Sequence, residues 1–220
     1  MDTTQQKGIF IVFEGGEGSG KSTQISRLKL YLAQKYRADR VITTHEPGGG
    51  MPDYRQQIFD IRKEDPNISQ SDLAEKELEL FEKDRALHVA NLLRPKKDAG
   101  YIVLCDRFMF STIAYQGYAR GMDLEKIRRA NADATQGFIP DLAILMDLDP
   151  AIGLERKFQH QVEDLTPFDK EPTPFHKRVR QGFLAQAAED PEHWIVVDAS
   201  QDADVITQRL IGILDKHFGL

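Results

Sequence analysis

The sequence predicts a doubly wound α/β fold, in which a five-stranded parallel sheet carries helices on both faces. Five short apolar runs recur along the chain, and the first of them suits a strand that is buried on both faces, as in a parallel sheet. Stretches with helical spacing of apolar residues separate these runs, and a glycine-rich loop follows the first run. This alternation is typical of parallel sheets, because a crossover helix returns the chain to each new parallel strand.

The expected strands end beside acidic residues. In sheets of this kind, ligands bind at the carboxyl ends of the strands. The strands are Ile9 to Phe13, Arg40 to Thr44, Tyr101 to Cys105, Leu142 to Met146 and Trp194 to Val197. We therefore expect a site at the sheet edge that is marked by Glu14, Glu46, Asp106 and Asp147.

Helices are expected between the strands. After the first strand, Leu28 and Leu32 share one helical face. A long helix is expected from Ser71 to Arg94, capped by Ser71 and stopped by Pro95. A helix from Ser111 to Gln116 is expected to be interrupted by Gly117 and Gly121, and the next helix is expected to be capped by Asp123 and to run through Thr135. The other expected helices are Tyr54 to Arg62, Ile152 to Lys157, Phe175 to Ala188 and Val205 to Phe218.

Length and composition favour a single-domain protein and argue against a nucleic-acid-binding, membrane-spanning or secreted one. A chain of 220 residues with no evident linker fits a single domain, 1–220. The net charge of −6 gives no broad attraction to nucleic acid. No run reaches membrane-spanning length, and the first eight residues lack the apolar core of a signal peptide. The lone Cys105 lies in an apolar run, so we expect a buried thiol and a cytoplasmic protein.

The loop after the first strand matches a phosphate-binding pattern. It reads GGEGSGKS and fits G-x-x-x-x-G-K-[ST] between a strand and a helix. Lys21 is expected to reach the β- and γ-phosphates of a bound nucleotide, and Ser22 to ligate Mg²⁺. The alternative is a glycine-rich turn with an unrelated lysine. The residues expected to bind the nucleotide phosphates are Gly15, Gly16, Glu17, Gly18, Ser19, Gly20, Lys21, Ser22 and Thr23.

Asp106 and Arg107 follow the third expected strand directly. Asp106 is expected to hold the Mg²⁺ shell, and Arg107 to bridge the phosphates and neutralise charge during transfer. The alternative is a solvated ion pair at a strand end. A polar, proline-bearing segment at about 158–174 is expected to act as a lid.

Several motifs together resemble the thymidylate kinase family, a group of P-loop nucleoside monophosphate kinases. They are FEGGEGSGKST, EPGG at 46–49, Phe81-x-x-x-Arg85, DRF at 106–108 followed by STIAYQG, and PDLAILMDLDPAIGLER. The resemblance covers most of the chain. It implies a P-loop kinase fold with transfer of the ATP γ-phosphoryl group to dTMP. It also implies Mg²⁺ as cofactor, dTDP and ADP as products, and usually a homodimer.

The resemblance assigns an acceptor pocket. Phe81 would stack on the thymine ring; the alternative is that it packs in the core. Arg85 would donate to a thymine carbonyl oxygen; the alternative is that it is a surface charge. Tyr115 would lie under the deoxyribose, Gln116 would face the base, and Glu17 would reach the sugar or orient the acceptor. The other residues assigned to the acceptor are Glu46, Pro47, Arg55, Arg107 and Ser111. The adenine is expected near the loop after the fifth strand.

The sequence departs from the family where positive charge is required. His45 stands where bacterial members commonly carry arginine, the phosphate-binding loop has no basic residue before Lys21, and the lid segment has no arginine. The segment also carries Glu163, Asp164 and Asp169. Arg156 and Lys157 at its base and Lys170 within it are the available cations. The hypothesis is that Arg156 and Lys170 share the catalytic lid role. The alternative is a lid that contributes little to catalysis and mainly excludes water.

Two alternatives remain open from the sequence. Another nucleoside or deoxynucleoside monophosphate kinase would share the loop, the strand order and the lid, but not the acceptor set. A non-catalytic nucleotide-binding regulator would share the loop and show no ADP production stimulated by an acceptor.

Overall fold

The computed structural model describes residues 7–36, 38–50, 52–160 and 165–219, and it confirms the five-stranded parallel sheet. The strand order is β2-β3-β1-β4-β5. Every strand ends one residue later than predicted, because the terminal polar residue still pairs with its neighbour, as in His45 with Asp106 and Asp147 with Asp198. The strands are β1 Ile9–Glu14, β2 Val41–His45, β3 Ile102–Asp106, β4 Leu142–Asp147 and β5 Trp194–Asp198.

Helices connect all the strands. The described helices are α1 Lys21–Lys35, α2 Pro52–Glu64, α3 Gln70–His88, α4 Arg94–Asp98, α5 Met109–Thr112, α6 Leu124–Thr135, α7 Pro150–His160, α8 Thr173–Glu189 and α9 Ala203–Phe218. Two stretches are π-helical, Val89–Leu93 and Ile113–Ala119. Asp123 caps α6 as expected, since its side chain accepts from the backbone N–H of Lys126.

The predicted ends of the long helix were wrong. Ser69, rather than Ser71, caps α3, because its side chain accepts from the backbone N–H of Asp72 at 3.0 Å. Pro95 does not stop the helix, since the π-helical turn Val89–Leu93 leads into α4 with Pro95 in its first turn. A missing N–H is tolerated at that position, where a helix has no intrahelical acceptor for it.

Gly117 does not interrupt its helix either. It lies inside the π-helical segment Ile113–Ala119, where a Cβ would meet the Leu124 side chain at 2.5 Å. The glycine therefore permits close packing of α6 rather than a break. Gly121, with φ of 81°, follows the segment as expected for an interruption.

The central strands β1, β3 and β4 are buried on both faces, whereas the edge strands β2 and β5 are partly exposed. Phe10 and Val12 belong to the core that includes Phe183 of α8, whereas Ile11 and Phe13 belong to the core that includes Leu28 of α1. Cys105 is fully buried, and burial raises the pKa of its thiol well above the usual range. None of the described helices has the length and apolar character that a membrane span requires.

The predicted lid segment is described only in part. Residues 161–164, with Glu163 and Asp164, lie outside the described residues. The remainder includes the end of α7, a 3₁₀ turn at Phe168–Lys170 and the start of α8.

Candidate active site

The phosphate-binding loop joins β1 to α1 and surrounds the Lys21 ammonium group. Gly20, with φ of 86°, precedes the first residue of α1. The Nζ of Lys21 donates to the carbonyl oxygens of Gly15 at 3.2 Å and Gly16 at 3.1 Å. Burial lowers the pKa of Lys21, and the charge of Arg107 adds to that effect. A buried cation and a helix N-terminus thus lie together, as a polyphosphate site requires.

Gly18 allows the loop to approach α7 closely. Its φ is 65°, and a Cβ there would lie 2.0 Å from the carbonyl oxygen of Gly153. Gly153 is similarly constrained, because its own Cβ would lie 2.2 Å from the carbonyl oxygen of Glu17. The two glycines let the first turns of α7 pack directly on the loop.

Ser22 and Asp106 form a pair that fits Mg²⁺. The Ser22 hydroxyl donates to Asp106 Oδ2 at 2.9 Å. Asp106 Oδ1 is buried and has no hydrogen-bond partner among the described residues. A hydroxyl and a free carboxylate oxygen are donors that Mg²⁺ accepts alongside phosphate oxygens and water. No cluster of three or more His, Cys, Asp or Glu side chains suited to a metal occurs in the described ranges.

Arg107 occupies a left-handed backbone conformation at the end of β3. Its φ is 68°, which is uncommon outside glycine and marks a constrained position. Its backbone N–H donates to the Phe13 carbonyl at 2.9 Å. Its Nη1 donates to the Gly15 carbonyl at 3.0 Å and its Nη2 to Glu17 Oε1 at 2.8 Å. The guanidinium is therefore fixed beside the phosphate-binding loop.

Glu17 lies among three cations. Its Oε1 accepts from Arg107 and from the Tyr115 hydroxyl at 2.7 Å, and its Oε2 lies 3.8 Å from Lys157 Nζ. Burial by itself raises the pKa of Glu17, but the charges of Arg107, Lys21 and Lys157 outweigh it and lower the pKa to about 2. Glu17 is thus a carboxylate at neutral pH.

Glu14 was noted in the sequence only as a strand-end residue. It is fully buried and accepts from the Phe108 N–H at 2.9 Å and from the Ser111 hydroxyl at 2.6 Å. Burial raises its pKa to about 7, although Ser111 and Arg107 oppose the shift. The carboxyl group ties β1 to the turn after β3, and its position at a strand end was the signal for it.

A first cavity of about 330 Å³ lies at this edge of the sheet. Its lining includes residues 17–23 of the loop together with Asp106. The residues assigned to the acceptor all line it: Glu46, Pro47, Arg55, Phe81, Arg85, Arg107, Ser111, Tyr115 and Gln116. Their individual roles stay predictions.

Arg85 is held by a buried network. Its Nε donates to Glu46 Oε2 at 2.9 Å, and its Nη1 donates to Glu82 at 2.6 Å and to Asn131 Oδ1 at 2.7 Å. His88 binds the other Glu46 oxygen at 2.9 Å. The Arg85 side chain is 1% exposed, so the alternative of a surface charge is excluded. The network orients a cationic donor at the cavity wall.

Aromatic side chains form another part of the cavity wall. The half-buried Phe81 ring lies 6.2 Å from Phe168, which is also 5.7 Å from Tyr115 and 6.5 Å from Phe59. Phe168 belongs to the predicted lid segment but was not singled out in the sequence, because no motif marks it. Arg55 is exposed, lines the cavity and lies over the Phe59 ring.

A second cavity of about 650 Å³ adjoins the same loop. It is lined by Gly18–Gly20, by Arg156 and Lys157 of α7, and by 199–203 after β5. Arg156 donates to the Ala199 carbonyl at 3.1 Å. This is the region in which the sequence places the adenine.

The three candidate cations of the lid are placed differently. Lys157 lines both cavities and forms ion pairs with Glu17 and with Asp169 at 3.3 Å. Arg156 lines the second cavity. Lys170 is exposed and is absent from the described linings of both cavities. The shared role of Arg156 and Lys170 stays a prediction, with Lys157 as the better placed cation.

Comparisons with known proteins agree with this architecture. A family model described as thymidylate kinase matches residues 13–210. The chain is 41% identical over 213 residues to the thymidylate kinase of Solidesulfovibrio magneticus, covering 94% of this chain and 99% of the relative. Against that of Desulfovibrio desulfuricans it is 44% identical over 209 residues, covering 91% and 92%. The crystal structure of the thymidylate kinase from Ehrlichia chaffeensis matches with a TM-score of 0.73 at 30% identity, over 94% of this chain and 98% of that one. Sequence and structure agree over nearly the whole length, and the chain belongs to the thymidylate kinase family.

Proposed function

We propose that the chain transfers the γ-phosphoryl group of ATP to dTMP, giving dTDP and ADP, where the first and second cavities meet. The observation that carries this proposal is that Lys157 and the phosphate-binding loop border both cavities. ATP would extend from the second cavity along the loop, and dTMP would enter the first. Family membership supports this reaction over another nucleoside monophosphate kinase and over a non-catalytic regulator.

The reaction is an in-line displacement. A phosphate oxygen of dTMP attacks the γ-phosphorus, and the bond to the β,γ-bridging oxygen breaks, with ADP leaving. The protein contributes mainly positioning and charge neutralisation. Lys21 and Arg107 would neutralise the phosphates, and Glu17, ionised at neutral pH, would hold Arg107 and Tyr115 in place. Mg²⁺ held by Ser22 and Asp106 would supply further neutralisation of phosphate charge.

Lys157 would supply the lid charge that the sequence assigned to Arg156 and Lys170. Its side chain is 13% exposed, and its two carboxylate partners direct the ammonium between the cavities. In a site of low dielectric a fixed positive charge stabilises developing negative charge strongly. Arg156 would act on the donor side through the second cavity.

We further propose that residues 1–220 form one domain, that the segment 158–174 acts as a lid, and that the enzyme is a homodimer. Thr166 and Phe168, which line the first cavity, support closure of the segment over the acceptor. The family resemblance supports the dimer.

A panel of acceptors tests the proposed reaction. ADP production from ATP is measured in a coupled assay with dTMP, dUMP, dGMP and CMP. We expect dTMP to give the highest kcat/KM, because the pocket combines an aromatic face, an arginine donor and the Gln116 amide. Preference for a purine acceptor would contradict the assignment. ADP release that no acceptor stimulates would favour a regulator.

A further inference from the structure

A buried cluster joins α3, the π-helical segment Ile113–Ala119 and the residues before α8. Arg120 donates to both oxygens of Glu77, from Nε to Oε2 at 2.6 Å and from Nη2 to Oε1 at 2.7 Å. Its Nη1 donates to Glu171 at 3.1 Å, and its guanidinium lies 5.1 Å from the Phe175 ring centroid. The Glu77 and Arg120 side chains are each 4% exposed. The orientation of the Glu77 carboxyl group is therefore fixed.

Gln116 connects this cluster to the first cavity. Its Nε2 donates to Glu77 Oε2 at 2.8 Å. Gln116 is fully buried and lines the cavity, and its Oε1 has no hydrogen-bond partner among the described residues. A buried amide oxygen without a donor is unfavourable, because it has lost its hydrogen bonds to water. A ligand that brings an N–H group to this oxygen would remove that cost.

Glu77 determines which end of the amide is left for the ligand. An ionised carboxylate only accepts hydrogen bonds, so it must receive the NH₂ end of Gln116. A reversed amide would place its oxygen against Glu77, where two acceptors repel each other. Burial raises the pKa of Glu77, and Arg120 opposes this by favouring the ionised form. The paired contact of Arg120 with both oxygens keeps the carboxylate an acceptor.

We propose that Glu77 is a positioning residue that sets acceptor specificity, because it holds the Gln116 amide with its oxygen towards the acceptor base. The inference rests on the proposed function and deepens it. Arg85, which has no acceptor atom in its guanidinium, lines the same cavity. One donor and one acceptor then face the base.

This arrangement matches one class of pyrimidine. Thymine and uracil offer a carbonyl oxygen at position 4 beside an N–H at position 3. Cytosine offers the reverse, an amino group beside a bare ring nitrogen. A site that must pair buried polar groups rejects the ligand that leaves them unpaired. Glu77 thereby selects against cytosine without touching the base.

The test is the ratio of kcat/KM for dTMP to kcat/KM for dCMP in wild type and in Glu77→Gln. The glutamine side chain has both a donor and an acceptor, so the Gln116 amide can adopt either orientation. We expect the ratio to fall about tenfold or more, the effect of one mispaired hydrogen bond. A loss of rate with both acceptors at an unchanged ratio would make Glu77 merely structural and overturn the proposal.

Two matched variants isolate the effect. Glu79→Gln makes the same substitution on α3 at an exposed carboxylate paired with Lys83, and should leave the ratio unchanged. Glu171→Gln removes the negative charge of another partner of Arg120 while the Glu77–Gln116 bond remains, and should also preserve the ratio. A ratio that falls equally in Glu171→Gln would contradict a specific role for Glu77.

Wild-type protein gives a second readout that does not depend on the folding of any variant. Neutron diffraction from deuterated crystals locates the two amide deuterons of Gln116, which ordinary X-ray data do not show. We expect both on the nitrogen that faces Glu77. Deuterons on the opposite side would overturn the proposal. Wild type without dTMP kinase activity would instead refute the proposed function and leave the amide orientation to be decided by this measurement.

Discussion

Glu14 and Glu17 lie three residues apart, yet their surroundings act on their carboxyl groups in opposite directions. Burial dominates at Glu14, where the pKa rises to about 7. At Glu17 the charges of three cations outweigh burial, and the pKa falls to about 2. The motif predicted a role for Glu17 but only a position for Glu14. The difference depends on Arg107, Lys157 and Ser111, which come from distant parts of the chain.

The raised pKa of Glu14 predicts a pH dependence of stability. Protonated Glu14 favours the folded state, so its contribution is complete below pH 4.5 and is lost as pH rises through 7. Relative to wild type, Glu14→Gln should therefore gain on the order of 3 kcal/mol in unfolding free energy between pH 4 and pH 8. Urea unfolding across this range measures the difference. Parallel stability curves for the two proteins would contradict the raised pKa.

Lys157 should contribute more to the rate than the other candidate lid cations. Lys157→Ala is expected to lower kcat about 100-fold, because it removes a fixed charge near the transferred phosphate. Arg156→Ala should mainly raise KM for ATP. Steady-state kinetics with both substrates measure these effects, and Lys177→Ala, at an exposed position on α8, is the control. A comparable loss in Lys170→Ala, with Lys157→Ala unaffected, would favour the assignment made from the sequence.

Among the elements, the strands were predicted closely and the helix ends less well. Apolar runs determine a buried strand directly, whereas a helix ends where a cap, a proline or a glycine meets its surroundings. The sequence predicted Ser71 as the cap, but the structure places Ser69 there, since the backbone brings its side chain to the Asp72 N–H. Pro95 does not end its helix because it lies in the first turn of α4, where its missing N–H costs no hydrogen bond, and Gly117 lies inside the π-helical segment Ile113–Ala119.

The contact between the phosphate-binding loop and α7 gives a prediction at this scale. Gly18→Ala should destabilise the protein by about 2–4 kcal/mol and weaken ATP binding, because it adds a Cβ at positive φ against the Gly153 carbonyl. Thermal unfolding and ATP titration measure both effects. Gly16→Ala is the matched control, since its Cβ would meet nothing within 4 Å. Equal stability of the two variants would refute the steric argument.

For the whole molecule, the strand order decides where the site lies. β1 lies between β3 and β4, so Glu14 and the phosphate-binding loop are next to Asp106. This central position lets the β2 loop supply acceptor residues on one side and the turn after β5 line the second cavity on the other. The chain carries a net charge of −6, but Lys21, Arg107 and Lys157 all line the first cavity at this edge.

The proposed homodimer is tested on the intact protein. Size-exclusion chromatography with light scattering should give twice the chain mass of 25.0 kDa at micromolar concentration. A mass equal to that of one chain across the concentration range would refute the dimer.

The sequence by itself determined the fold class, the phosphate-binding loop and the acceptor motifs, because these depend on local patterns of apolar residues and on short fixed spacings. Only the tertiary structure decided which other side chains join them. Lys157, Phe168 and Glu77 carry no motif, and their positions depend on how α7, the lid segment and α3 pack against the sheet. Orientation and pKa depend on distances between residues far apart in the chain, which a one-dimensional pattern does not contain.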